Sequence, residues 1–346
     1  MQEETSLKEL TQLWGTSGHE KQVEKYIATR IHPYCDELYT DSLGNLIAFK
    51  RGNGKDKKKI MCAAHMDEIG FSVQAITEDG FVNVRNIGGV TTKLIQNTRI
   101  EFENGVQGVI TTNETEDKQT GGMDSYYVDI GALSKEEALK AVSIGSTAVF
   151  QGEYRELLNN CVLAKALDNR VGCYVLMEVM RKIENAYHDV YFVFTTQEEF
   201  GLIGATVAAE RIKPELGIAV DITGCYDTPG SIKGNMKLGM GAAIKSIDAS
   251  VICDQDVIEM LIQCAKDENI MYQMDVLPAG GTDVGAIKKA HYGCKGAGIS
   301  LATRNGHGPC SICSMHDVQA SIDLLICFLK KETVLDSTQI YKKMND

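Results

Sequence analysis

Four short apolar runs in this chain of 346 residues each stop near a side chain able to hold a metal ion. Ile60-Met-Cys-Ala-Ala runs into His65-Met-Asp67, and Val190-Tyr-Phe-Val-Phe-Thr-Thr runs into Gln197 and the pair Glu198-Glu199. Leu216-Gly-Ile-Ala-Val ends in Asp221, and Gly298-Ile-Ser-Leu-Ala leads towards His307. Apolar runs of this length and continuity predict buried strands. In open α/β sheets, ligands bind outside the carboxyl ends of the strands. Histidines and acids at four such ends therefore predict one assembled metal site.

The length allows two domains. From Asp168 onward, helical periodicities alternate with apolar runs, as in an α/β fold. The texture differs over residues 69–162, where Phe71, Val73 and Ala75 alternate with polar residues. Asn104-Gly105 there sits between two alternating runs, a strong hairpin signal. Ser134-Lys-Glu-Glu137 has the spacing of a capping box at the head of one short helix, and Asn113 to Met123 reads as a polar loop. The expected architecture is a mostly parallel central sheet flanked by helices, formed by residues 1–68 and 163–346. A small β-rich, barrel-like domain, residues 69–162, is inserted into it. Ser17-Gly-His-Glu20 predicts a second capping box, opening a helix through Val23, Ile27 and Ile31.

A formal charge of −12 and a pI near 5.2 argue against a nucleic-acid partner. The N-terminus lacks a basic region followed by an apolar stretch, and no run reaches the roughly 18 apolar residues of a membrane span. The expectation is a cytoplasmic protein with no membrane partner. Its 11 cysteines, an odd number found mostly within apolar runs, read as reduced thiols rather than a disulfide framework.

Each candidate residue also has an ordinary explanation. His65 could be a surface histidine beside an acid, although Asp67, two residues on along an extended chain, could hydrogen-bond its far nitrogen. Asp168 could be the N-cap of the helix through Val171, Val175 and Val179, or a carboxylate bridging two cations. Glu198 and Glu199 could be acids at a helix start. Alternatively, one binds metal and the other faces water. Asp221 is harder to explain away, because an unpaired buried carboxylate is costly.

With these residues in place, the chain resembles the M42 family of metallo-aminopeptidases, the glutamyl and leucyl enzymes of tetrahedral (TET) type. The likeness lies in Asp41-x-x-Gly-Asn45, Ala64-His-Met-Asp67, Lys165-Ala-Leu-Asp-Asn-Arg170-x-Gly-Cys173 and Gln197-Glu-Glu-x-Gly-Leu-x-Gly204. It continues through Asp221-Ile-Thr, Asp227-Thr-Pro-Gly230 and Gly280-Gly-Thr-Asp-x-Gly285. The resemblance implies a dinuclear site for zinc or cobalt that hydrolyses N-terminal residues from short peptides. His65, Asp168 and Asp221 would hold one ion; Asp168, Glu199 and His307 would hold the other. Glu198 would be the general base and Asp67 the acid orienting His65. It further implies that the inserted domain mediates dimers, which build a homo-oligomer, a tetrahedral dodecamer.

The family has Thr-Arg-Tyr-Ile-His-Ser-Pro where this chain reads Thr303-Arg-Asn-Gly-His-Gly-Pro309, which removes an aromatic and an aliphatic side chain beside the ligand position. The series His307-x-x-Cys310-x-x-Cys313-x-x-His316 imitates a structural zinc motif. Gly306, Gly308 and Pro309 oppose the helix needed to bring the four together, so Cys310 and Cys313 are expected to be packed thiols. Two other activities compete: a metal-dependent deacylase of N-acyl amino compounds and an endoglucanase-like glycoside hydrolase. The latter needs two carboxyl groups and no metal.

Overall fold

A computed structural model describes residues 6–90, 94–112 and 126–332, so the expected polar loop from Asn113 to Met123 lies outside the described residues. Helices α1 (Leu7–Gln12) and α2 (Lys21–Ile31) precede strands β1 (Glu37–Thr40), β2 (Leu46–Lys50) and β3 (Lys59–His65). Six strands follow: β4 (Gly70–Ile76), β5 (Val82–Ile87), β6 (Thr98–Phe102), β7 (Gln107–Thr112), β8 (Tyr126–Asp129) and β9 (Thr147–Phe150). Helix α3 (Lys135–Ala141) lies between the last two. These six strands close into a barrel in the order β4-β5-β8-β7-β6-β9. Its core is a separate cluster that includes Phe71, Phe102 and Phe150, with Phe71 edge-on to Phe150 at 5.2 Å. The β6–β7 hairpin turns at Asn104-Gly105, where Gly105 takes φ +86°. At α3 the Ser134 hydroxyl accepts from the Glu137 amide, while the Glu137 carboxylate accepts from the Leu133 amide.

The chain returns through β10 (Arg155–Glu156), β11 (Cys161–Ala164), α4 (Leu167–Lys182), β12 (Asp189–Thr195), α5 (Ile203–Ile212) and β13 (Leu216–Gly224). Then come β14 (Ala242–Ile247), α6 (Gln255–Asp267), β15 (Tyr272–Val276), α7 (Asp283–Ile287), β16 (Lys295–Arg304), β17 (Ser311–Ser314) and α8 (Met315–Lys330). These strands join β1 to β3 in an 11-stranded sheet whose centre runs β12-β3-β13-β16. Those four strands are the four apolar runs, and they are mutually parallel. Strands next to this centre pair with it antiparallel, β2 against β12 and β14 and β17 against β16, and one further parallel pair, β14 with β15, lies beyond it.

Strand alternation explains why the central runs are apolar throughout. Ile60, Cys62 and Ala64 of β3 enter one core with α4 and α8, while Met61 and Ala63 enter another with α5 and α7. All 11 cysteines are free thiols. Cys313 is buried as expected, but Cys310 is exposed, because it lies in the turn before β17.

The capping box expected at Ser17-Gly-His-Glu20 is replaced by another use of the same residues. Helix α2 begins at Lys21, and the Ser17 hydroxyl donates instead to Asp67 Oδ2 at 2.6 Å. Glu20 Oε1 accepts from the Gly18 and Gln197 amides, at 2.7 and 3.0 Å. Both side chains thus brace the ends of central strands. Burial pushes the Glu20 carboxyl up to about 7.

Candidate metal centre

Parallel pairing sets His65 level with Thr195 and brings the carboxyl ends of β3, β12, β13 and β16 to one edge. The seven residues singled out in the sequence meet there. His65 Nε2 lies 3.1 Å from Asp168 Oδ1, 3.7 Å from Asp221 Oδ1 and 3.8 Å from Glu198 Oε2. His307 Nε2 lies 3.1 Å from Asp168 Oδ2 and 3.6 Å from Glu199 Oε1. The Asp168 carboxylate therefore stands between two imidazoles, with one oxygen towards each.

Local structure frees Asp168 for this place. Ala166 adopts φ +52° and Asp168 is extended, so the regular turns of α4 start after Asn169. Asn169, not Asp168, acts as the cap: its Oδ1 accepts from the Gly172 amide. Its Nδ2 donates to the Val220 carbonyl, next to Asp221. The buried Arg170 guanidinium donates to the carbonyls of Leu10, Gly15 and Met66. Lys165 grips both oxygens of buried Glu68, at 2.7 and 2.9 Å. Cations on either side of Asp168 thus lock its segment to the one following His65.

Asp67 is placed differently from the simplest alternation argument. Its backbone carbonyl lies 3.1 Å from His65 Nδ1, and its carboxylate Oδ1 lies at 3.4 Å. That carboxylate accepts from the Glu198 and Glu199 amides as well as from Ser17, so it pins the two glutamates. The two glutamates then diverge, Glu198 towards Asp221 and Glu199 towards His307.

His307 is held in its turn from two directions. Its Nδ1 is 2.7 Å from the Gly89 carbonyl, which follows β5 of the barrel. Arg304 makes a two-pronged bond to Asp227, and Ser311 donates to the Asn305 carbonyl. No sequence signal singled out Gly89; it sits in an unremarked Gly88-Gly89 pair. Asp283, in the Gly280-Gly-Thr-Asp-x-Gly285 motif, is a further acid at the cluster that no sequence signal marks as such. It is buried near the cluster, with Oδ2 accepting from Thr195 at 2.6 Å and Oδ1 without a hydrogen-bond partner among the described residues.

The electrostatics are those of carboxylates short of positive charge. Burial pushes Glu199 and Asp283 up to about 7, raises Asp221, and lifts Glu198 well above the usual carboxylate range. Burial alone would lower both imidazoles, but Glu198 and Asp168 hold His65 well above its ordinary value. Asp168 likewise holds His307 up at about 10. For Asp168 burial is outweighed by those imidazoles, which keep it low. Glu199 Oε1 is buried with no hydrogen-bond partner among the described residues. Donor atoms of His65, Glu198 and Asp221, and of His65, Asp168 and Glu199, lie within 4.8 Å of one another. Hard carboxylate oxygens, borderline imidazoles and a deficit of positive charge fit divalent cations. The first of these triads includes Glu198, so distance alone leaves it both a ligand and a base role.

The M42 glutamyl aminopeptidase family model matches residues 44–324. The lysyl aminopeptidase of Pyrococcus furiosus is 31% identical over 345 residues, covering 96% of this chain and 98% of its own. The structure of an aminopeptidase from the archaeon Desulfurococcus kamchatkensis is similar with a TM-score of 0.90 at 35% identity, covering 94% of each chain. The TET1 peptidase of Pyrococcus horikoshii, described as assembling into a tetrahedron or a large octahedral shell, has a TM-score of 0.83 at 30% identity, covering 94% of this chain and 98% of its own. A Thermotoga maritima protein described as an endoglucanase has a TM-score of 0.79 at 33% identity, covering 94% and 97%.

Proposed function

The chain belongs to the M42 glutamyl aminopeptidase family, and from that premise we propose that it removes N-terminal residues from short peptides with two divalent cations, zinc or cobalt. Family membership makes it a metal-dependent hydrolase acting on peptides. The observation that carries the dinuclear reading is the Asp168 carboxylate, with one oxygen 3.1 Å from His65 and the other 3.1 Å from His307. In this reading His65, Asp168 and Asp221 hold one cation, and Asp168, Glu199 and His307 the other. Cations bound there supply Lewis acidity, polarising the scissile carbonyl and making water a better nucleophile.

The remaining steps belong to the chain's own groups. Glu198 takes a proton from the attacking water and returns it to the departing amine. Its position beside His65, on an amide tethered to Asp67, supports that role. Asp67 orients His65 and the Glu198 segment together. The surrounding carboxylates attract the free α-ammonium of a substrate, which restricts cleavage to the first peptide bond.

Glu198→Gln tests the assignment. Turnover should fall by about 10²–10⁴-fold, the usual worth of a general base. Metal content by mass spectrometry should stay at the wild-type value. If cation is lost together with activity, Glu198 is a ligand and the base lies elsewhere. A deacylase would prefer N-acetyl amino acids over aminoacyl amides, so the two substrate types assayed side by side separate those readings. A glycoside hydrolase would stay active on polysaccharide after chelation. Assembly into a larger homo-oligomeric shell is supported by the P. horikoshii relative, and dimers formed through the barrel are proposed as its building unit. Light scattering in solution measures it. The cytoplasm is proposed as its location from the sequence reading alone. No helix among the described residues is long and apolar enough to cross a membrane.

A further inference from the structure

Beside the metal-binding cluster the cleft widens to a volume of about 620 Å³. Every ionisable side chain among the described residues lining it belongs to that cluster: His65, Asp168, Glu198, Glu199, Asp221 and His307. The rest of the lining is aliphatic or small, chiefly Leu202, Ile222, Leu277, Ala279, Thr303 and Gly306. The Thr303 hydroxyl donates to the Leu301 carbonyl, so its proton is already engaged. Arg304, the cation nearest in sequence, is committed to Asp227 by two hydrogen bonds. A charged side chain entering this space would leave water without a partner, at high cost. An aliphatic one would gain by burial.

Gly306 decides how large that side chain can be. It lies between Asn305 and His307, and a Cβ added to it would meet only the Ile222 Cδ1 atom, at 3.2 Å. Asn305 and His307 both have φ of 57°, whereas Gly306 is not in the left-handed region, so its backbone does not require glycine. What glycine provides is clearance for Ile222, which lines the same cleft and which a Cβ at 3.2 Å would crowd.

We propose that this cleft selects an uncharged aliphatic N-terminal residue of the leucine and methionine class, with Gly306 as the residue that sets its size. The proposal rests on the aminopeptidase reading above and goes beyond it. The family carries the name glutamyl aminopeptidase and one relative is a lysyl enzyme, yet the described lining offers neither a free cation for glutamate nor a spare acid for lysine.

The test is a panel of aminoacyl p-nitroanilides (Ala, Leu, Met, Phe, Lys and Glu) on the full chain, with zinc and cobalt supplied separately. Leu or Met should exceed Lys and Glu in kcat/KM by at least about tenfold. In Gly306→Val, the ratio of Leu to Ala turnover should fall at least about tenfold, because the added methyl groups, and the Ile222 side chain they crowd, take up the space of the longer side chain. The ratio within one preparation is unaffected by partial loss of folded protein. If Gly306→Val does not fold, Leu277→Ala serves instead and should shift preference from Leu towards Phe. Preference for Lys or Glu overturns the class of side chain, and an unchanged Leu to Ala ratio overturns the role of Gly306. Both of those outcomes leave the aminopeptidase reading standing. Failure of every aminoacyl substrate with either metal overturns that reading, and this proposal with it.

Discussion

Lys245 of β14 is the most demanding test of how the sheet supports the site. Its side chain is fully buried, with Nζ 2.7 Å from Asp275 Oδ2 and 3.9 Å from Asp248 Oδ2. Asp275 Oδ1 accepts from the Thr223 hydroxyl, two residues beyond Asp221 on β13. Asp248 accepts from Thr282, next to Asp283. At 2.7 Å, and an effective dielectric constant of about 20, the Lys245–Asp275 attraction is about 6 kcal/mol. Desolvating both ions absorbs most of that, so the intact pair contributes little net stability. Removing one partner is different, because it leaves an uncompensated buried charge worth about 3–5 kcal/mol. Lys245→Met should therefore lower unfolding free energy by about 3–5 kcal/mol, a large share of the roughly 5–15 kcal/mol of a typical domain. Adding Asp275→Asn removes the stranded charge and keeps an acceptor for Thr223, so the double variant should recover at least half of the loss. The assay is urea unfolding followed by circular dichroism, at one protein concentration and one metal concentration, since assembly and bound ligand both add apparent stability. A Lys245→Met loss below about 1 kcal/mol would refute the reasoning. So would a double variant no more stable than the single.

The other predictions concern the cluster itself. Gly89→Ala would place a Cβ 2.8 Å from His307 Nδ1, in the space the ring now occupies. Affinity for the cation assigned to His307 and Glu199 should fall by about 10–100-fold, as for loss of an orienting partner; unchanged affinity in a cobalt titration would remove Gly89 from the site. Asp168→Asn preserves shape but loses the shared negative charge, so metal analysis should find both ions depleted together. Two ions at full occupancy would contradict a bridging carboxylate.

The parts of the molecule that could be read from the sequence are those governed by short-range pattern. Strands buried on both faces must be apolar at successive positions, so β3, β12, β13 and β16 are legible as runs, and the histidines and acids at their ends as the cluster that converges there. The Asn104-Gly105 hairpin and the α3 cap were visible because turn and cap chemistry is local. Local pattern failed where one spacing serves two purposes. Ser17 and Glu20 have the separation of a capping box, but both reach across to strand ends, because the carboxylate of Asp67 and the amide of Gln197 are better matched partners there. Cys310 was expected to be packed like Cys313, but it falls in the turn just before β17.

What the sequence could not reveal depends on contacts between distant segments. Gly89 is 218 residues from His307, and Lys245 is 30 from Asp275; neither pair has a periodicity to announce it. The barrel matters most here. Read as a domain apart, it has its own core and pattern, yet the backbone just after β5 carries the carbonyl nearest His307 Nδ1. The His307 ring, beyond the end of a sheet strand, is thus positioned by a segment from the barrel. Movement of the barrel against the sheet would therefore be felt first at the His307 side of Asp168, while the His65 side stays tied to Asp67 and the central strands.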